Sequence, residues 1–328
     1  MKKITLASLL LLSLFIGCKK NSSSDLEITD KVETIAQRSC AANDVLLEQL
    51  IADPSLRTRM DAIEAFTKKA ISTGEYRRVY GTIQITVVVN VLYNAAAENI
   101  SDQQVQSQID VLNADYNNTN SDRTNVPSIF TSSVGSLGVT FVLHLPINRR
   151  STNKKSWGTN DAMKKTSQGG IDPTDPAHNL NMWSCNLGRN LLGYAQFPGG
   201  NPATDGVVIL YSAFGSRTIY PGGTYISKYD LGRTASHEVG HWMNLRHIWG
   251  DDGGSCSGTD YVADTPNQGA ENYGCPVFPH VSCSNNGDMS MNYMDYTDDA
   301  CMYMYSYGQA QRMLAVFAPG GPRAAIGQ

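Results

Sequence analysis

Residues 237–247 read HEVGHWMNLRH and place three of the chain's six histidines within eleven residues. On an α-helix, His237 and His241 lie one turn apart on the same face, so both imidazoles can reach one metal ion at about 2.0–2.1 Å. His247 can join them only if the helix ends and the chain reverses near Asn244. That reversal favours a residue that tolerates positive φ, and asparagine is the most permissive after glycine. The pattern therefore predicts a helix, a turn and a three-histidine metal site.

Three neutral imidazoles leave the fourth position of a tetrahedral zinc ion open, which is typical of catalytic zinc sites. Zinc lowers the pKa of a water molecule in that position, and Glu238 can accept its proton and return it to a leaving amine. We therefore expect zinc as the cofactor, bound by His237, His241 and His247, and Glu238 as the general base of amide hydrolysis. A purely structural zinc site and three surface histidines on an amphipathic helix are the alternatives.

The composition indicates a globular chain with no nucleic-acid partner. The 328 residues are 41% hydrophobic and 17% charged, and the formal net charge is -4. Residues 79–328 carry 14 Lys and Arg against 20 Asp and Glu, so this segment suits a metal ion better than a phosphate backbone. Nothing in the sequence indicates the oligomeric state.

The N-terminus has the features of an export signal. Lys2 and Lys3 precede an apolar run over residues 4–16, which is too short to cross a bilayer but suits a secretory signal. Residues 14–18, LFIGC, resemble a bacterial lipobox, so we expect residues 1–18 to be a lipoprotein signal peptide and Cys18 to be lipidated. Ordinary signal-peptide cleavage is the alternative. No later stretch is typical of a transmembrane helix, so membrane contact is expected only through the lipid on Cys18.

The coarse pattern after the signal predicts helices followed by a mixed α+β domain. Residues 44–70 have helical periodicity, and residues 82–93, TIQITVVVNVLY, are typical of a strand. A capping box at Ser101 predicts a helix, and strands are expected over residues 139–145 and 206–211. Strand, helix and strand in this order predict a mixed sheet with helices packed on it.

The segment beyond residue 250 is rich in Gly, Asp, Asn and Cys and has little periodicity until Ser306 caps a final helix. Such a long irregular segment usually needs disulfides or bound ions. Export to an oxidising compartment favours two disulfides among its four cysteines, but the spacing does not select one of the three possible pairings.

The flanks of the histidine motif resemble one peptidase family. HExxHxx(G/N)xxH is the metzincin signature, and Asn244 stands where glycine is more frequent. Four segments are similar to the pappalysin (cytophagalysin) family, namely GRTASHEVGHWMNLRHIWGD, NYMDYTDDAC, YGQAQRM and NLNMWSCNLGRNLLGYAQFPGG. The resemblance covers about residues 82–318. It implies a metzincin-type α+β domain whose N-terminal subdomain has a mainly parallel mixed sheet with helices, followed by an irregular, disulfide-stapled C-terminal subdomain that ends in a helix.

The resemblance also implies roles for residues around the zinc motif. Met294 would be the Met-turn beneath the imidazoles, and Tyr296 would stabilise the oxyanion, with a simple packed aromatic as the alternative. Asp298 and Asp299 would lie in the pocket for the residue after the cut, where an acid selects Arg or Lys. Further implied features are disulfides Cys256–Cys283 and Cys275–Cys301 and a calcium site formed by Asp260, Asp264 and Thr265, for which a plain Asx-rich turn is the alternative.

Cys40 gains an expected role from the same resemblance. In small pappalysins a cysteine of the pro-segment occupies the fourth zinc position, and Arg38-Ser39-Cys40 fits this pattern because the arginine is available to pair with a carboxylate in the cleft. A Cys40–Cys185 disulfide is the alternative. We therefore expect residues 1–18 as signal, 19–77 as tether and inhibitory pro-segment, and 78–328 as the catalytic domain, separated by a cut near Arg77-Arg78.

The expected function is a zinc endopeptidase made as a latent zymogen, which acts on proteins or peptides and prefers Arg or Lys after the scissile bond. The enzyme would be exported from a bacterial cell, and would be lipid-anchored to the outer membrane or cell surface or secreted after pro-segment removal. A catalytically silent zinc-containing binding lipoprotein is the alternative from another class, and a zinc amidase is a further one. The intact Glu238 favours the enzyme over the binding protein.

Overall fold

A computed structural model describes Met1 and residues 37–326 of the chain. Residues 37–326 belong to one compact unit. The expected signal peptide, the tether and the lipidation site Cys18 lie outside the described residues. Among the helices of the described part, none is both long enough and apolar enough to cross a membrane.

One six-stranded sheet organises the fold, and its strands are β1 (Gln84–Tyr93), β2 (Thr140–Leu143), β3 (Asn148–Ser151), β4 (Asn179–Cys185), β5 (Gly193–Ala195) and β6 (Val207–Leu210). Their order across the sheet is β2-β1-β4-β6-β5. Strand β2 pairs with the first half of β1 and β3 with its second half. All neighbours run parallel except β5, which is antiparallel to β6 and forms one edge of the sheet.

The β-branched run predicted as a strand is the central strand β1. It is buried along almost its whole length, as expected for a parallel strand covered on both faces. Its register with β4 pairs Val87 with Leu180. The predicted strands over residues 139–145 and 206–211 are confirmed as the shorter β2 and β6, whereas β3, β4 and β5 were not predicted.

Within residues 37–326, five α-helices pack on this sheet or extend from it, namely α1 (Ala42–Ala52), α2 (Ser55–Thr73), α3 (Asp102–Tyr116), α4 (Arg233–Trp242) and α5 (Tyr307–Ala315). The helical stretch predicted over residues 44–70 is two helices, because Pro54 starts a new helix and lacks the N–H that a continuous helix would use. The Ser101 hydroxyl accepts from the Gln104 backbone N–H at the start of α3. At α5, Ser306 and Gln309 form the full reciprocal capping box.

Helix α4 carries the first half of the histidine motif, and all ten of its residues are buried. It begins after Gly232, which has φ of 83°, and packs against α3, β5 and β6. The chain reverses at Asn244, whose φ of 75° confirms the predicted left-handed turn. The reversal brings the chain after residue 244 back toward the face of α4 that carries the histidines.

The C-terminal subdomain has little regular structure before α5 and is held by two disulfides, Cys256–Cys283 and Cys275–Cys301. This is the pairing that the family resemblance implied. Cys40 and Cys185 are both free thiols, so the alternative disulfide between them is wrong. Cys185 is buried at the end of β4, while Cys40 lies in the cleft beside β5. The predicted α+β class, with a mainly parallel sheet and a disulfide-stapled C-terminal part, is confirmed.

The N-terminal segment lies across the edge strand β5. Cys40 forms an isolated parallel bridge with Gly193. The Leu192 N–H donates to the Ser39 carbonyl at 3.0 Å, and the Ala41 N–H donates to the Gly193 carbonyl at 3.1 Å. The chain then enters α1, and α2 packs against α5. Residues 37–77 are therefore docked on the rest of the fold by backbone pairing and by helix packing.

Candidate active site

Three histidine side chains converge in the cleft below β5. The Nε2 atom of His241 lies 3.1 Å from Nε2 of His237 and 3.1 Å from Nε2 of His247. All three residues are at least 98% buried. Helix α4 supplies His237 and His241, and the reversal at Asn244 returns His247 to the same point. The predicted convergence of the three imidazoles is therefore present.

The hydrogen bonds of Nδ1 in His237 and His241 show which ring nitrogens are free to bind a metal cation. His237 Nδ1 contacts the Tyr293 carbonyl at 2.7 Å, and His241 Nδ1 contacts the Leu245 carbonyl at 2.9 Å. A carbonyl can only accept, so both Nδ1 atoms donate and both Nε2 atoms present lone pairs toward each other. Burial and neighbouring imidazoles lower the pKa of both histidines, which keeps them neutral. Neutral imidazoles whose lone pairs face one another are the donor set of a three-histidine zinc site.

The third imidazole has an acidic partner that was not predicted. His247 Nδ1 lies 2.7 Å from Oδ1 of Asp251. A carboxylate on the second nitrogen fixes the orientation of a metal-binding histidine and increases its basicity. In the sequence, only the spacing of four residues between His247 and Asp251 could indicate this contact. Because the chain turns between the two residues, that spacing does not predict the contact without the structure.

Glu238 lies beside the imidazole cluster and is 1% exposed. Burial raises its pKa to about 8, and the hydrogen bond from Cys40 and the charge of Arg38 oppose that shift. The carboxyl group can therefore take and release a proton near neutral pH. Strand β5 approaches it closely at Gly193, where an added Cβ would lie 2.9 Å from the Glu238 side chain. Any larger residue at position 193 would displace the glutamate.

The implied Met-turn lies under α4. A Cβ added to Gly240 would approach the Met294 sulfur to 2.5 Å, so the glycine in HEVGH allows this side chain to pack against α4. Tyr296 packs on His247 with ring centroids 5.1 Å apart, and its hydroxyl lies 3.3 Å from His247 Nε2. The same hydroxyl donates to the Cys40 carbonyl at 3.2 Å. The Tyr296 hydroxyl therefore lies between the imidazole cluster and the backbone of the N-terminal segment.

Cys40 completes the cluster from the N-terminal segment. Its Sγ and one ring nitrogen of each histidine all lie within 4.8 Å of one another. The thiol donates to Oε2 of Glu238 at 3.3 Å. Burial and the nearby Glu238 raise the pKa of this thiol, so it is protonated unless a cation stabilises the thiolate. Three imidazoles and one thiolate are a closed tetrahedral ligand set for zinc.

Arg38 occupies a second, neighbouring pocket. Its guanidinium contacts Oδ1 of Asp299 at 2.5 Å, and the two side chains are 1% and 0% exposed. Nε donates to the Thr297 carbonyl at 3.1 Å, and a terminal nitrogen lies 3.3 Å from the Thr234 hydroxyl. The ring of Tyr229 lies 5.2 Å from the guanidinium carbon. The pocket therefore holds a cation with a buried carboxylate, polar acceptors and an aromatic face.

The two acids predicted for this pocket have different partners. Asp299 accepts the Leu231 and Arg233 backbone N–H groups at Oδ2, which leaves Oδ1 for the guanidinium. Burial raises the pKa of Asp299, and the Arg38 charge opposes that shift. Asp298 instead forms an ion pair with Lys228 at 3.5 Å. Of the two predicted acids, only Asp299 contacts the arginine.

The residues predicted to bind calcium have different hydrogen-bond partners. Asp260 accepts the Thr265 hydroxyl at 2.8 Å, and burial raises the pKa of Asp260 to about 6. Asp264 turns away to the start of α5, where it accepts the Ser306 hydroxyl at 2.6 Å and the Gly308 N–H at 2.9 Å. Free N–H groups at a helix N-terminus attract a carboxylate, which explains the direction of Asp264. Calcium binding at Asp260, Asp264 and Thr265 stays a prediction.

Comparisons with known proteins agree with this geometry. The family model described as pregnancy-associated plasma protein-A, peptidase M43, matches residues 193–318. The extracellular metalloprotease of Arthroderma benhamiae is 35% identical over 238 residues, which are 70% of this chain and 71% of that protein. Extracellular metalloprotease 1 of Coccidioides posadasii is 34% identical over 256 residues, which are 75% of this chain and 80% of that protein. Together with the histidine cluster, these matches define the class: the chain is a zinc metalloendopeptidase.

Similarity to solved structures identifies the peptidase family within this class. Mature mirolysin of Tannerella forsythia in complex with a cleaved peptide is 49% identical to this chain, with a TM-score of 0.71 over 75% of this chain and 96% of that chain. A promirolysin mutant from the same organism is 44% identical, with a TM-score of 0.77 over 88% of this chain and 97% of that chain. The chain belongs to the pappalysin family, peptidase M43, of the metzincins.

Proposed function

We propose that the chain is an exported zinc endopeptidase made as a latent zymogen, with residues 19–77 as tether and inhibitory pro-segment and residues 78–328 as the catalytic domain. The observation that carries the proposal is that one short extended segment contacts the site at two places. Cys40 contacts the imidazole cluster and Glu238, while Arg38 fills the Asp299 pocket. The match to a promirolysin structure over 88% of the chain supports the zymogen.

The proposed catalytic step uses Glu238 and Tyr296. Zinc held by the three histidines would supply the positive charge that acidifies water and polarises the scissile carbonyl. Glu238 accepts a proton from the attacking water at the carboxylate that now contacts Cys40, and passes it to the leaving nitrogen. Tyr296 donates its hydroxyl hydrogen to the carbonyl oxygen as negative charge develops there. The edge of β5 holds the peptide backbone, as it holds Ser39 and Ala41 in the latent chain.

Latency follows from the same contacts. The Cys40 sulfur occupies the space that water and the scissile carbonyl need. Its thiol also donates a hydrogen bond to Oε2 of Glu238, so that oxygen is not available to a water molecule. Arg38 closes the neighbouring pocket with a buried ion pair. Release therefore requires the segment to leave both places, which a cut between segment and domain would promote.

We propose a preference for Arg or Lys immediately after the scissile bond, in protein and peptide substrates. The support is the contact of Arg38 with Asp299, because a pocket that buries one guanidinium is suited to another. Arg77 and Arg78 are exposed in a short 3-10 helix, Glu75–Val79, at the junction of pro-segment and domain. An enzyme with this preference could therefore cut its own chain at this exposed junction.

We propose export through the N-terminal signal and lipid attachment at Cys18. The relatives named extracellular metalloproteases support export. Expression in a bacterial host, followed by membrane fractionation and mass analysis of the N-terminal peptide, tests the anchor. A diacylglyceryl adduct on Cys18 that is lost in Cys18→Ala is expected, and an unmodified N-terminus at another residue would contradict it.

The decisive experiment for the proposed function is Glu238→Ala in the proteolytically activated chain. We expect at least about a 100-fold loss of peptide hydrolysis, the usual scale for a missing general base, with zinc still bound at one ion per chain by elemental analysis. A catalytically silent binding lipoprotein predicts no hydrolysis by the wild-type chain. Wild-type activity that survives unchanged in Glu238→Ala would refute the mechanism.

A further inference from the structure

A second ion pair joins the pro-segment to helix α5 of the proposed catalytic domain, away from Cys40. Glu64 on α2 contacts the Arg312 guanidinium through both carboxylate oxygens, at 3.0 Å and 2.6 Å. Arg312 lies on α5 and is 2% exposed, and its Nε donates to the Asn244 carbonyl at 2.8 Å. The pro-segment therefore inserts a carboxylate against a buried arginine that itself supports the turn between His241 and His247.

A second arginine, Arg246, faces the same space. It lies over the Phe197 ring at 4.1 Å, and forms no hydrogen bond or ion pair with another described residue. Arg246 and Asn244 line a cavity of about 410 Å³ together with Glu64 and Asp61 of α2. Across the described residues, Glu64 is the one carboxylate that forms an ion pair with Arg312. Loss of the pro-segment would therefore remove the carboxylate that pairs with Arg312 and that lines the same cavity as Arg246.

These arginines lie on the opposite side of Cys40 from the Asp299 pocket. The chain runs from Arg38 in that pocket, past Cys40 at Gly193, to Ala42, which packs in one cluster with Phe197. Arg246 stacks on that same Phe197 ring. If the Asp299 pocket receives the residue after the cut, the two arginines flank residues before the cut.

We propose that Arg246 and Arg312 form an anion subsite of the activated enzyme, which binds a carboxylate side chain of the substrate upstream of the scissile bond and which Glu64 fills in the zymogen. This inference rests on the proposed function, because Glu64 must leave with the pro-segment. A buried guanidinium that has lost its carboxylate binds another one strongly, because charge-assisted and bidentate contacts are among the strongest hydrogen bonds in proteins.

The test uses the full chain, expressed as the zymogen, activated by limited trypsin cleavage and then treated with a trypsin inhibitor. Peptides with one cut site before arginine carry either Glu or Gln at each of the four positions before the cut. At one position we expect kcat/KM to be roughly tenfold higher for Glu, mainly through KM and less so at high ionic strength, as expected for uniform binding by charge. The ratio should fall to about one or two in Arg246→Gln.

The control is Arg149→Gln, which removes a surface arginine that pairs with Asp102 at the start of α3. This variant should keep the full Glu-to-Gln ratio. Equal cleavage of Glu and Gln peptides by the wild-type enzyme, or a preference that Arg246→Gln leaves intact, overturns the subsite and leaves the peptidase in place. If the activated chain cleaves none of the peptides, the proposed function is wrong and the subsite falls with it.

Discussion

Asp299→Asn should remove the preference for a basic residue after the scissile bond. The carboxylate is fully buried and already engages a guanidinium at 2.5 Å, so its charge is the chief attraction for a cation in this pocket. Asparagine has the same shape, and its carbonyl oxygen can still accept the Leu231 and Arg233 N–H groups. A hydrogen bond to a charged group contributes about 1.5–3 kcal/mol. This corresponds to roughly a 10- to 150-fold loss of kcat/KM for Arg substrates.

The assay compares cleavage of two peptides that differ only in Arg or Leu after the scissile bond. Asp298→Asn is the matched control, because that neighbouring carboxylate pairs with Lys228 and should leave the Arg-to-Leu ratio within about threefold of the wild-type value. Profiling of a peptide library should show the same change without a preselected sequence. An Arg preference that persists in Asp299→Asn, or that disappears in Asp298→Asn instead, would show that the pocket has been misidentified.

Three further predictions follow from the site. Cys40→Ala should activate the uncut zymogen in a fluorogenic peptide assay, since losing even about 1.4 kcal/mol of closed-state stabilisation raises the open fraction about tenfold. Cys185→Ala, at the other free thiol among the described residues, should stay latent in the same assay. Tyr296→Phe should lower kcat by roughly 100-fold with little change in KM, and an unchanged kcat would make it a packing residue only. Burial raises the pKa of Asp260 from 3.8 to about 6, so the stability it contributes is complete below pH 4 and is lost as pH rises through 6. Thermal melts should show less of this loss in Asp260→Asn, and added calcium at pH 8 should stabilise the wild type but not the variant; identical profiles would exclude both effects.

Local patterns predicted the elements whose cause is local. The β-branched residues before Tyr93 form the central strand, and Ser306 caps α5 with Gln309. Strand β4, with the sequence NLNMWSC, lacks such a pattern, because Asn179 and Asn181 interrupt its apolar residues and are held by hydrogen bonds to the Thr174 backbone. The three-residue β5 is defined almost entirely by its neighbours. These long-range pairings carry no signal in a short stretch of sequence.

In the candidate site, too, local features could be predicted from the sequence and long-range contacts could not. Helical spacing and the turn at Asn244 were sufficient to predict that the three imidazoles meet. Asp298 and Asp299 are adjacent in sequence, and only the backbone of the 3-10 helix Asp299–Cys301 decides which one enters the pocket. The pairing of Glu64 with Arg312 joins residues 248 positions apart, so no sequence pattern indicates it.

X-ray absorption at the zinc edge of the uncut zymogen tests the central claim most directly, because it reports the ligands of the metal without depending on a substrate. The account predicts three nitrogen ligands at about 2.0–2.1 Å and one sulfur at about 2.3 Å, with the sulfur absent from Cys40→Ala and from the activated enzyme. A zymogen whose zinc has no sulfur ligand, or a sulfur signal that persists in Cys40→Ala, would contradict the claim that Cys40 holds this peptidase latent.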